Sequence, residues 1–329
     1  MKYFIYLLIN LLIINLIFKM RFRICNMFNL IDLPVKKKIH KHSALIFGGI
    51  FLIFGYISNF IYVYIFEQDH YNYLSPFFII SFFILSFFDD IKNLNAILKL
   101  FLIFLLSFLS IIFDSDLKIL TLNSYLIDKK IFFPNLFFNY LLTIISIALF
   151  INAFNFSDGI DGLASLLGIS FFFYIFLKNP IIFEVFFIFF LYLFLFLIIN
   201  LKYKIFLGDS GNYLISTILA TILLKENYNN SNLYFAEEIY LLFLIPGLDM
   251  LRLFFKRIYH QRSPFSKDLD HLHHKLMKRY NHTYSIIIYL TIVNLPIFLF
   301  NYFNNFLIII IFLTKITYLI LINKLSSNK

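Results

Sequence analysis

Apolar residues along this chain come in runs of about 16 to 22, each closed by a short polar stretch. A helix needs about 20 such residues to cross the hydrocarbon core of a bilayer. The runs predict eleven spans, over about 3–18, 44–66, 72–88, 97–113, 136–152, 163–177, 181–200, 211–225, 237–255, 283–301 and 304–323. The fold class is therefore an all-α polytopic integral membrane protein, with residues 1–329 as one membrane-embedded domain. The first run follows Lys2 in the manner of a secretory leader, but "KMRFR" succeeds it without a small-x-small cleavage site. It is read as an uncleaved first span.

Composition agrees with this pattern. The chain is 61% hydrophobic and 14% charged, against about 25% charged in a soluble domain. One cysteine, Cys25, excludes a disulfide framework and a cysteine-rich metal site. Asn, Lys, Ile and Phe are abundant in loops and spans alike, so the Asn-rich stretch 227–232 is read as a loop.

The net charge of +10 first suggests nucleic acid, but in a multispanning chain Lys and Arg report topology, because cytoplasmic loops collect them. With the amino terminus outside, 20 of the 28 Lys and Arg fall on the cytoplasmic side and six on the other. The same orientation places Asp89 with Asp90, Asp158 with Asp161, Asp209, and the histidines of 271–274 on the inner face. That convergence predicts one cytoplasm-facing site.

In "SFFDDIKNLNAILKL" the adjacent Asp89 and Asp90 end a span. Neighbouring helical residues point about 100° apart, which gives the two carboxylates different jobs. In "NAFNFSDGIDGLAS" the polar residues Asn152, Asn155, Asp158 and Asp161 recur every third position, and Gly159 and Gly162 permit a tight turn open to a ligand. "KIFLGDSGN" sets Asp209 in a Gly-bounded turn, a suitable oxygen ligand for Mg²⁺ shared with substrate phosphates. Each of these stretches also has a plain reading as a solvated helix end or an ordinary turn.

"RSPFSKDLDHLHHKL" contains His271, His273 and His274. His271 and His274 are predicted to share a helical face, and Asp270 to hydrogen-bond His273 or His274 and fix its tautomer. Zinc is a competing reading, weakened by the lack of an H-E-x-x-H pattern or a cysteine partner. With Arg262 and Lys275, the histidines serve equally to hold a diphosphate. In "LIDLPVKKKIHKHSALIFGGI" the residues Lys36, Lys37, Lys38, His40 and Lys41 suit attraction to an anionic membrane surface or to phosphate. Within spans, Asp249 can pair with Arg252 three residues on, and Lys315 either snorkels or finds an internal partner.

These motifs, in this order between about Asp32 and Lys275, resemble the polyprenyl-phosphate N-acetylhexosamine-1-phosphate transferases, a family that includes the phospho-N-acetylmuramoyl-pentapeptide transferases. The shared stretches are "IDLP" with its basic loop and Gly pair, "DDIKNL", "NAFNFSDGIDGLA", "FLGDSGN", "PGLD" and "SPFSKDLDHLHHKL". The last looks like the branch using simple UDP-N-acetylhexosamines. The resemblance implies attack by undecaprenyl phosphate on the β-phosphate of a UDP-N-acetylhexosamine, with Mg²⁺ (Mn²⁺ as an alternative), in the bacterial inner membrane. Carried over by motif, Asp89 and Asp90 hold or deprotonate the lipid phosphate and Asp90 helps place the metal. Asp209 ligates Mg²⁺, while Asn152, Asn155, Asp158 and Asp161 line the nucleotide and metal pocket, Asn155 among the ligands. His271, His273, His274 and Arg262 bind diphosphate, and Lys38 and His40 match a basic loop nearby. Three positions depart from the family pattern: Leu45 for a proline, Lys99 for an arginine and Ile103 for a glutamine.

Two rival readings fit the same motifs. One is the muramoyl-pentapeptide transferase; the other is a proton-coupled transporter or lipid flippase using buried carboxylates. The transporter reading predicts charges spread through the membrane depth. A homodimer is one assembly the chain allows.

Overall fold

The structure, a computed structural model, describes residues 2–33, 43–229, 233–263 and 269–326. Lys38 and His40 lie outside the described residues. The helices are α1 (Lys2–Met27), α2 (Gly48–Phe66), α3 (Pro76–Lys92), α4 (Ala96–Phe113), α5 (Leu136–Asn155), α6 (Leu163–Lys178), α7 (Pro180–Tyr203), α8 (Gly208–Asn229), α9 (Ala236–Tyr259), α10 (Leu272–Arg279), α11 (His282–Tyr302) and α12 (Leu307–Ser326). Four short strands accompany them: β1 (Ile31–Asp32) pairs with β2 (Ala44–Leu45), and β3 (Thr121–Ser124) with β4 (Lys129–Phe132), both antiparallel.

Each predicted span coincides with a long helix. Among the described residues, eight helical segments are long and apolar enough to cross a membrane. The other three are α6, with 16 residues, and α8 and α9, which are more polar. The chain is a multi-pass, all-α membrane protein. The first helix runs nine residues past its predicted end, because "KMRFRICNM" contains nothing that stops a helix.

The helix ends follow their sequences. Asn95, Asn135, Asn179 and Asn281 each cap the helix they precede by accepting a backbone N–H. Pro76 and Pro180 begin α3 and α7, where a missing N–H is harmless.

Two compact units divide the chain. The first comprises Met1–Asp114 and Gly168–Ile222. Its α2 packs along α7, and Asn59 of α2 joins them: its Nδ2 donates to Val185 O at 3.0 Å, and Phe189 N–H donates to its Oδ1 at 3.1 Å. In the same unit the entry to α2 is stitched to the segment before α8. Phe206 N–H donates to Leu45 O at 2.8 Å, and Gly49 N–H to Leu207 O at 3.0 Å.

The second unit comprises Ser115–Leu167 and Leu223–Lys329. Here α9 packs against α5 and α11, while α10 lies against α11 and α12. The β3–β4 turn, between two predicted spans, is held by Glu237 at the start of α9. That carboxylate accepts from Ser124 Oγ at 2.6 Å and Tyr125 N–H at 3.0 Å. Lys315 finds an internal partner, its ammonium lying 5.8 Å from the centroid of the Tyr240 ring.

Candidate active site

In the first unit the acidic motifs meet at the amino terminus of α8. Asp90, in the last turn of α3, accepts Asp209 N–H at 2.8 Å on Oδ1, and Ser210 N–H at 3.0 Å and Ser210 Oγ at 2.5 Å on Oδ2. These N–H groups have no partner inside the helix, and the positive end of the helix dipole favours a carboxylate there. Gly208 makes the approach possible. Its φ is +77°, and a Cβ at that position would stand 2.8 Å from Asp90 Oδ2.

Asp89 points elsewhere, as adjacent helical residues must. Its Oδ1 accepts Leu94 N–H at 2.7 Å, closing the turn into α4, and its Oδ2 lies 2.6 Å from Lys99 Nζ. Lys99 also lies 2.6 Å from Asp209 Oδ2, so one ammonium bridges two carboxylates. It stands 4.8 Å from the Tyr213 ring centroid as well. The position singled out above as a family departure is thus the cation of the cluster.

The donor set fits a hard divalent cation. Mg²⁺ is ordinarily held by one or two carboxylates together with substrate phosphates and water, not by a full protein cage. Asp209 retains 33% side-chain exposure, and the ammonium between it and Asp89 marks a place where acid oxygens gather around positive charge. Among the described residues no group of three or more His, Cys, Asp or Glu forms a ready-made metal cage.

In the second unit α5 ends at Asn155, and the loop that follows packs on the histidines. Gly159 is required there: a Cβ would fall 2.2 Å from His273 Nε2. Tyr289 of α11 donates to Ser157 Oγ at 3.0 Å, and His282 Nε2 meets Asp161 O at 2.9 Å. Asn152 donates back to Ala148 O within α5, whereas Asn155 Oδ1 is buried with no hydrogen-bond partner.

His271 lies outside α10 as its N-cap residue, so the expected shared face with His274 does not form. Instead its ring stacks between Phe156, at 5.6 Å and 21°, and His273, at 5.5 Å and 4°. His273 and His274 have ring centroids 4.2 Å apart. His273 is buried, and neither ring nitrogen has a hydrogen-bond partner. Burial, reinforced by the neighbouring His274 and His271, pushes its pKa well below the ordinary 6.5, so the ring is neutral.

Asp270 pairs with Lys256, and His273 makes no hydrogen bond with it. Burial would raise the Asp270 pKa, but the hydrogen bond and charge of Lys256 outweigh that and hold it below the usual value. The carboxylate on a histidine is Asp249, whose Oδ2 lies 2.8 Å from His271 Nδ1. Spacing along one helix pointed to Asp270, whereas the true partner is 22 residues away in sequence. Lys275 donates to Ser326 Oγ, and burial lowers its pKa from the ordinary 10.5. Arg262 is exposed in the turn after α9, its N–H on Arg257 O at 2.8 Å.

Sequence reading missed Lys99, Ser210, Tyr318, Tyr289 and His282 as parts of these clusters, and saw in Asp249 and Arg252 only a local pair. The "GDSGN" and "PGLD" stretches carried a signal for Ser210 and Asp249; nothing in the sequence marked the tyrosines.

Residues 73–227 match the family model described as glycosyl transferase family 4. The chain is similar to proteins called undecaprenyl-phosphate alpha-N-acetylglucosaminyl 1-phosphate transferase in several bacteria. It is 30% identical over 151 residues to that of Yersinia pestis, covering 43% of this chain and 41% of that protein. Identity to the Escherichia coli K12 protein is 30% over 153 residues, covering 43% and 41%. For the Thermotoga maritima protein it is 28% over 255 residues, covering 76% and 73%. The match thus spans 41% of the length of the Yersinia and Escherichia relatives.

Proposed function

From the match of residues 73–227 to the glycosyl transferase family 4 model, we propose that the chain transfers N-acetylglucosamine-1-phosphate from UDP-N-acetylglucosamine to undecaprenyl phosphate. An oxygen of the lipid phosphate attacks the β-phosphorus of the nucleotide sugar. The bond between that phosphorus and the α–β bridging oxygen breaks, and UMP leaves with the electron pair. The products are undecaprenyl-diphosphate-N-acetylglucosamine and UMP.

The observation that carries this reading is the bridging of Asp89 and Asp209 by Lys99 beside the Asp90-capped start of α8. Phosphoryl transfer is mainly positioning and charge neutralisation. Lys99 neutralises the acids that anionic substrates must approach, and Asp90 fixes the helix terminus that carries Asp209. A phosphate monoester is largely dianionic at neutral pH, so little base catalysis is needed, and Asp89 serves to orient the nucleophile. Asp209 with Asp90 would hold Mg²⁺, which supplies charge neutralisation on phosphate oxygens. In the second unit Asn155 keeps an unpartnered buried Oδ1 and His271 a stacked ring, groups that suit a nucleotide. The excess of basic residues on one set of loops supports a cytoplasmic face for this chemistry, in the bacterial inner membrane.

The test is to incubate purified protein with undecaprenyl phosphate, Mg²⁺ and a panel of UDP-sugars, including UDP-N-acetylmuramoyl-pentapeptide, and to measure UMP. UMP from UDP-N-acetylglucosamine supports the proposal. Release from the pentapeptide substrate alone moves the chain to the muramoyl branch, and no release by folded protein removes the transferase reading.

A further inference from the structure

Asp249 is a carboxylate set in a largely apolar helix and is 4% exposed. A charge there is tolerable only with a full set of donors. Four surround it, from three helices and the residue before one of them. Oδ1 accepts Arg252 Nη2 at 2.8 Å, from α9 itself, and Tyr318 OH at 2.8 Å, from α12. Oδ2 accepts Leu272 N–H at 3.1 Å, the first residue of α10, and meets His271 Nδ1 at 2.8 Å. Arg252 would suffice to neutralise the carboxylate. The second oxygen is instead spent on the backbone entering α10 and on one imidazole.

Arg252 and Tyr318 also touch each other, Arg252 Nε donating to Tyr318 OH at 2.8 Å, and Arg252 Nη2 reaches Asp270 O at 2.7 Å, the residue before His271. The carboxylate therefore cannot swing without breaking bonds to α9, α10 and α12 together. The imidazole is restrained in a complementary way. Stacking between Phe156 and His273 fixes the plane of the His271 ring but permits a flip within that plane. The bond to Asp249 selects one flip state and one tautomer, with the proton on Nδ1.

The geometry points to Asp249 as the positioning residue of His271, with Arg252 and Tyr318 locking the carboxylate so that Nδ1 is held as the donor and Nε2 is the nitrogen left to the substrate, as an acceptor for one of its hydroxyl groups. This role rests on the transferase reading for its substrate, although the arrangement of the imidazole does not.

The test has two arms in full-length protein in nanodiscs. In the first, ¹⁵N-labelled histidine reports the His271 tautomer by NMR, with His271→Gln assigning the signal. The Nδ1–H form is expected in the wild type, with a shift toward Nε2–H in Asp249→Asn. In the second, UMP release gives kcat/KM for Asp249→Asn, expected to fall about 100-fold, and Tyr318→Phe, about 10-fold. In the His271→Gln background each substitution should change kcat/KM by less than about twofold, because residues that act through one another are not additive. An unchanged tautomer in Asp249→Asn, or full losses retained in the His271→Gln background, overturns the proposal. If Asp249→Asn does not fold, Tyr318→Phe, which removes one hydroxyl, carries both arms. Were the wild type to release no UMP from any sugar, the transferase reading would fail while the tautomer arm still decided this one.

Discussion

Lys99 Nζ lies 2.6 Å from Asp209 Oδ2, joining residues 110 positions apart across the starts of α4 and α8. Removing one partner of a largely buried ion pair costs about 3–5 kcal/mol, mostly because the other charge is left stranded; exposure of Asp209 places the expected loss at the lower end. Lys99→Met should therefore lower thermal stability and reduce UMP release at least about 100-fold. Lys99→Arg keeps the charge, and activity within about 10-fold of wild type is expected. Equal losses in both variants would mean that charge at this position is not what matters.

Asp90 and Asp209 should separate in a stability assay. Asp90→Asn places an amide donor against the N–H groups of Asp209 and Ser210, and a loss of about 1–3 kcal/mol is expected by denaturation in detergent. Asp209→Asn leaves those bonds in place and leaves Lys99 paired with Asp89, so no charge is stranded and it should abolish UMP release with a smaller shift in Tm. The reverse order of stabilities would remove the capping role of Asp90.

Gly159→Ala would drive a methyl group into His273, whose Nε2 lies 2.2 Å from the Cβ position. Overpacking of this kind costs about 1–3 kcal/mol. The KM for the UDP-sugar should rise with it, whereas a variant of unchanged Tm and KM would show that the loop and histidines do not pack as described.

His273 gives the fold a dependence on pH. Its folded-state pKa is far below 6.5, so below pH 6.5 the unfolded chain binds a proton that the folded chain does not. The contribution is complete above about pH 6.5 and declines by about 1.4 kcal/mol per pH unit as pH falls further. Chemical denaturation between pH 7.5 and 5.5 should show this slope, and His273→Phe should flatten it. A slope that survives the substitution must come from other groups.

The helices were legible because membrane burial acts on every residue of a run: 97–113 became Ala96–Phe113, and 181–200 became Pro180–Tyr203. The end of α1 was not, since basic residues leave the bilayer without ending a helix. Local chemistry was legible where neighbours in sequence decide it, as in the divergence of Asp89 from Asp90 and the pairing of Asp249 with Arg252. What escaped was selection among distant partners. Asp270 and Asp249 are equally plausible companions for a histidine in one dimension, and only the packing of α9 against α10 and α12 chooses Asp249. Lys99 escaped for a similar reason, since its neighbours in sequence are apolar and both its acids come from elsewhere.

The amide of Asn59 offers a donor to Val185 O and an acceptor to Phe189 N–H, the two groups that a regular α7 would join to each other. A helix entering lipid alone closes that bond internally, so α7 has no need of α2 in order to insert. The amide meets both groups of that turn at once, and α2 can recognise a single rung of α7 among a ladder of near-identical phenylalanine and leucine turns. In a chain whose spans differ so little in composition, that one amide acts as a register mark.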